Sequence, residues 1–93
     1  MTFAKALRPL VQSGRVTCSV RVWKQPRVKV GRRYALPPGE IEVTSIRSMS
    51  ERELTPVLAK RSGFDSVEEM MKIAKHGAGE FMFLVEFEYH DPA

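Results

Sequence analysis

Apolar and polar positions alternate most cleanly in two stretches. In the first, Val16, Cys18, Val20 and Val22 alternate with Thr17, Ser19, Arg21 and Trp23. A period of two with β-branched residues predicts a strand with one apolar and one mostly polar face. In the second, Phe81, Phe83, Val85, Phe87 and Tyr89 fall on one face, with Met82, Leu84, Glu86 and Glu88 on the other. The second face turns from apolar to acidic halfway. The first half of this strand is therefore expected to be covered on both sides, and the second half on one. Ile41, Val43 and Ile46 mark a third strand, and Val28 and Val30 a short piece before Gly31. Pro37-Pro38-Gly39 reads as a turn.

Helical spacing appears in three places. Phe3, Leu7, Leu10 and Val11 predict a short helix over residues 3–13, with Pro9 dividing it into two turns and Ser13-Gly14 ending it. Thr55-Pro56 fits an N-cap followed by proline at the first helical position, and Gly63 fits the stop. Asp65 or Ser66 then caps another helix. Ser66 and Glu69 have capping-box spacing, Val67, Met70, Met71 and Ala74 form the apolar stripe, and Gly77-Ala78-Gly79 closes it. Several strands around two central helices predict one α+β domain spanning residues 1–93, a small β-barrel or curved sheet with short helices packed at one side.

Charge sharpens this picture. Lys5, Arg8, Arg15, Arg21, Lys24, Arg27, Lys29, Arg32 and Arg33 precede the first acid, Glu40. The net charge of +4 is mild, but a one-sign stretch attracts polyanions where a mixed surface does not. It points to RNA or a nucleotide as partner, against the plainer reading of a basic edge paired with Glu86 and Glu88. No apolar run nears the roughly 18 residues of a membrane span. Lys5 and Arg8 interrupt the first ten residues, which argues against a secretory leader. The single cysteine, Cys18, has no internal partner. Together these predict a cytoplasmic protein without a membrane partner.

Residue types that carry chemistry are sparse. One cysteine and two distant histidines, His76 and His90, give no zinc spacing, and no metal or cofactor is expected. Cys18 falls on the apolar face of its strand and reads as packing. Gly77-Ala78-Gly79 is too short for a phosphate-binding loop. No catalytic residue is assigned from these patterns.

The run Gly14-Arg15-Val16-Thr17-Cys18-Ser19-Val20-Arg21 resembles the signature of the ASCH family, a branch of the PUA-like β-barrels. Val28-Lys29-Val30-Gly31, Ile41-Glu42-Val43-Thr44-Ser45-Ile46, the stretch from Ala59 through Gly63-Phe64 to Glu69, and Phe83-Leu84-Val85-Glu86-Phe87 resemble later parts of the family in order. The resemblance covers roughly residues 12–89. It implies a PUA-like barrel with a cleft between helices and sheet, and RNA binding. Some members hydrolyse modified nucleosides such as acetylcytidine, and others are proposed ribonucleases. The amidohydrolase branch implies a catalytic Lys, Thr and Glu, and those positions here read Val16, Ser19 and Ser62. Two of the three groups are replaced, and a hydroxyl without a base is a poor nucleophile.

The family's arginine is matched by Arg21. Side chains at i and i+2 share a strand face, which places Arg21 with Thr17 and Ser19, and Trp23 one step further. A guanidinium there forks to a phosphate or base edge, or else pairs with an acid of the last strand. Trp23 either stacks a base, worth about 1–3 kcal/mol, or covers the rim of the core. Arg15 stands near the missing Lys. Lys24, Arg27, Lys29, Arg32 and Arg33 would supply phosphate contacts, and Lys60 and Arg61 would approach from the first central helix. The leading expectation is an RNA- or nucleotide-binding module with a basic cleft. A hydrolase using Ser19, Arg21 and Lys24 or Arg15, and a protein-interaction or regulatory module, stand as alternatives, so enzymatic activity is left open.

Overall fold

The computed structural model describes residues 2–74 and 81–92. A 3-10 turn, Lys5–Leu7, runs into helix α1, Arg8–Gln12, with Pro9 in its first turn. The two-turn form avoids the clash that proline causes inside a longer helix. Strands follow as β1, Cys18–Trp23, β2, Arg33–Leu36, and β3, Gly39–Met49. Helices α2, Pro56–Arg61, and α3, Val67–Ala74, precede the final strand β4, Phe81–His90. Strands β1 to β4 form one antiparallel sheet in the order β1-β4-β3-β2. The sheet curls into a half-barrel and leaves β1 and β2 as its edges.

Both faces of the sheet carry core. On one, Phe83, Val85 and Phe87 of β4 meet Ile41, Val43 and Trp23, covered by Phe3, Leu7 and Val11 of the N-terminal segment. On the other, Cys18, Val20 and Leu84 meet Leu58 and Ala59 of α2 and Met70 and Ala74 of α3. The expected placement of all helices at one side is thus corrected. The N-terminal segment takes the opposite face, where Phe3, Leu7 and Val11 bury the apolar residues that β3 and β4 present there. In β4, Phe83, Leu84 and Val85 are all buried, whereas Glu88 is exposed while Phe87 beside it is buried, as the change of polarity predicts. Phe81, expected on the apolar face, is 57% exposed at the strand's start.

Local chemistry accounts for the helix ends. The Thr55 hydroxyl accepts from the Leu58 N–H at 3.2 Å, and the Ser66 hydroxyl accepts from the Glu69 N–H at 3.1 Å. Gly63, at φ +90°, turns the chain between α2 and α3, and a Cβ there would stand 2.6 Å from Leu7 Cδ2. Only glycine meets both conditions without strain. The predicted closing turn at Gly77-Ala78-Gly79, and His76, lie outside the described residues. Val28 and Val30 form no strand: Val28 is buried, and Val30 is 59% exposed. A bulge between Val43 and Ser45 lets Ile46, three residues after Val43, share its face, since their β4 partners are Val85 and Phe87.

Candidate nucleotide-binding site

Five consecutive residues, 19–23, line one pocket of about 370 Å³. Alternate side chains of a strand point to opposite faces, so a pocket touching all five lies along the strand's open edge. Thr2, Phe3, Ala4 and Leu7 wall it from one face of the sheet. Phe64, Met70, Ile73 and Ala74 wall it from the other, and Arg27 completes the lining. The volume falls in the range of small-molecule sites.

Arg21 is the electrostatic centre of this pocket. Its Nε donates to the Ser19 hydroxyl at 2.8 Å, and Nη2 donates to the Thr2 carbonyl at 2.6 Å. Its Cζ lies 5.2 Å from the centroid of the Phe3 ring, a cation–π contact. No carboxylate pairs with it among the described residues. Burial lowers its pKa from the ordinary value, because water no longer solvates the charge fully. Arginine nevertheless stays protonated at neutral pH. Of the five N–H groups of a guanidinium, two have protein partners. The result is a partly desolvated cation, held flat by a hydroxyl, a carbonyl and a ring, with donors left for an anion.

The remaining candidates divide by position. Ser19 and Trp23 line the pocket with Arg21. Trp23 is 9% exposed and packs against Phe83, with ring centroids 6.1 Å apart, so it belongs to the core as well. Arg27 and Lys24 are exposed and border a second, more open hollow with Gln25 and Pro26. Arg15, Lys29, Arg32, Arg33, Lys60 and Arg61 are exposed and line neither hollow. Arg15 precedes β1, and Lys60 and Arg61 sit on α2. Arg33 lies on β2 at the far edge and bridges Glu40 and Glu42, each at 3.3 Å. Glu86 and Glu88 make no ion pair among the described residues.

The positions to which the resemblance assigns hydrolase chemistry are not brought together. Ser62 is buried, with its Oγ 3.6 Å from the Cys18 Sγ on the helix-covered face. Ser19 points to the opposite face, toward Arg21. Val16 packs in the apolar core. Among the described residues the pocket lining holds no carboxylate, imidazole or amine base beside Ser19. No group of three or more potential metal ligands occurs among them either, and no described helix is long and apolar enough to cross a membrane.

Sequence reasoning did not name Thr2, Phe3, Phe64, Met70 or Ile73 as pocket residues. Only the fold brings the first residues and α3 to the two sides of β1. No family model, curated protein or solved structure matches this chain.

Proposed function

We propose that the protein binds RNA or a nucleotide at the β1 edge, as a PUA-like module of the ASCH kind acting in the cytoplasm. Arg21 holds a phosphate in the pocket, and Arg27 and Lys24 hold flanking phosphates at its mouth. The observation that carries this reading is the Arg21 guanidinium. It is partly desolvated, faces no acid among the described residues, and opens onto a 370 Å³ hollow. A cation in that state gains most from an incoming anion that forks to its free donors. The apolar walls, Phe3, Phe64 and Met70, suit a base better than they suit a bare inorganic anion. The lining favours binding over hydrolysis because the Ser19 hydroxyl bonds to a cation and not to a base.

The test is anisotropy of a labelled single-stranded RNA of about ten nucleotides, titrated at several salt concentrations. Three phosphate contacts give a slope of log K against log salt of about −2. Affinity unchanged between low and moderate salt would reject the proposal.

A further inference from the structure

We infer that Phe81 is a second base-binding position, an open ring on which a single-stranded RNA stacks the base next to the one held in the pocket. This inference rests on the nucleotide-binding reading and extends the site beyond one nucleotide.

Register places the ring. Trp23 lies across from Phe81, and Arg21 lies across from Phe83. Directly opposite residues of an antiparallel pair project from the same face of the sheet. Arg21, Trp23, Phe81 and Phe83 therefore share a face. Arg21 and Phe81 are diagonal neighbours on it, and such positions lie about 7–8 Å apart.

Trp23 and Phe81 are in opposite states. Trp23 is 9% exposed and packs against Phe83, so its ring is closed to a base. Phe81 is 57% exposed. No other aromatic residue among the described residues is exposed, and Phe81 packs against no other ring. Its main chain pairs with Trp23 in the sheet, so most of the open surface belongs to the ring. The stacking role that the sequence suggests for Trp23 thus falls to the residue across from it. An apolar ring held in water gains from being covered.

The charges around the ring select what covers it. Lys24 directly follows Trp23, and Lys24 and Arg27 border the open hollow. Arg27 also lines the Arg21 pocket, so the two hollows share a cation. A strand running from the pocket past Arg27 to Lys24 keeps its phosphates on cations and turns a base toward Phe81. An apolar protein segment would cover the ring but leave those cations without an anion. A duplex keeps its base faces inside its own stack, whereas a single strand offers them. Stacking on an aromatic ring tolerates any base, because every base has a π face. Phe81 therefore adds affinity without choosing sequence.

The experiment measures two probes by anisotropy on the full chain: a single-stranded RNA of about ten nucleotides, and an abasic strand of the same length and charge. Phe81→Ala should weaken the intact strand about tenfold and the abasic strand less than about twofold. Phe81→Tyr, which keeps the π face, should stay within about twofold of wild type. Phe81→Leu keeps apolar bulk without a π face and should lose nearly as much as alanine. If Phe81→Ala fails to fold, the tyrosine and leucine variants decide. Equal losses for both probes would make Phe81 a structural residue only and overturn the inference. Leucine binding like wild type would overturn it too, as would sedimentation showing a dimer that Phe81→Ala dissociates. In each of those cases RNA binding by the unaltered chain would leave the phosphate site standing. No binding of either probe to the unaltered chain would overturn both readings.

Discussion

The two edges of the sheet carry arginines from the same acid-free stretch of sequence, in opposite electrostatic states. At the β2 edge, Arg33 lies across from Glu42 and bridges both Glu40 and Glu42 of β3. Its charge is offset by two neighbours, and its side chain is half exposed. At the β1 edge, Arg21 lies across from Phe83 and meets a hydroxyl, a carbonyl and a ring. The acids of β4 do not reach it. Glu86 is across from Cys18, on the other face, and Glu88 lies beyond β1. Segregation of charge along the chain therefore survives folding at one edge and is cancelled at the other. The fold, not the composition, decides which basic residues remain able to attract a polyanion.

The largest effect that would disturb this contrast comes from Phe3. Its ring packs edge-on against Phe87 at 5.3 Å and underlies the Arg21 guanidinium. Phe3→Ala should cost about 3 kcal/mol of stability in chemical denaturation, from lost burial and the cavity left behind. Arg33→Ala should cost less than about 1 kcal/mol, the ordinary worth of an exposed ion pair. Equal losses would mean that the N-terminal segment does not hold the β1 edge as described.

A smaller effect separates the two arginines by function. Arg21→Ala should weaken binding of single-stranded RNA about tenfold, the loss of a charge-assisted bond to phosphate, and reduce the salt slope. Arg33→Ala should change affinity less than about twofold in the same anisotropy assay. Arg21→Lys should fall between wild type and alanine, since it keeps charge but loses the fork. A larger loss from Arg33→Ala than from Arg21→Ala would reverse the comparison.

The smallest effect concerns a third arginine, Arg47, which pairs with Glu53. The Ser50 N–H donates to that carboxylate at 2.9 Å, and this bond, followed by the one from Arg47, holds the Glu53 pKa below its usual 4.5. A carboxyl with a depressed folded pKa stabilises fully above its unfolded value, and that contribution disappears as pH falls through the folded one. A carbon-detected titration should therefore place the Glu53 midpoint below 4.5, and Arg47→Ala should raise it. A midpoint unmoved by that substitution would remove Arg47 from the account.

Much of this architecture is visible in the chain itself. The alternation in β1 and β4 names the faces that meet in the core, because a strand covered by packing must keep period two. Thr55-Pro56, Gly63 and Ser66 mark their helix ends because capping is local chemistry. Strand β2 is not visible: only Tyr34 and Leu36 of its four residues turn toward the core, and two inward positions are too short a run to read as a strand. The bulge before Ser45 is hidden too, since it shows only when β3 lies against β4. The Ser50–Glu53 capping box that opens the 3-10 turn Glu51–Glu53 has the right spacing but no apolar run to draw attention to it. For the site, the grouping of Ser19, Arg21 and Trp23 on one strand face follows from period two. Which strands become edges, and which segment supplies the carbonyl that holds Arg21, depend on contacts far apart in sequence.

The most direct measurement of the central claim is a titration of arginine side-chain Nε–Hε signals with single-stranded RNA at low salt. The hydrogen bond from Arg21 Nε to Ser19 should slow exchange and make that signal observable. The account predicts that the Arg21 signal moves early and saturates while the Arg33 signal stays in place. An Arg21 signal still unmoved at saturating RNA, or an Arg33 signal moving as far, would contradict it.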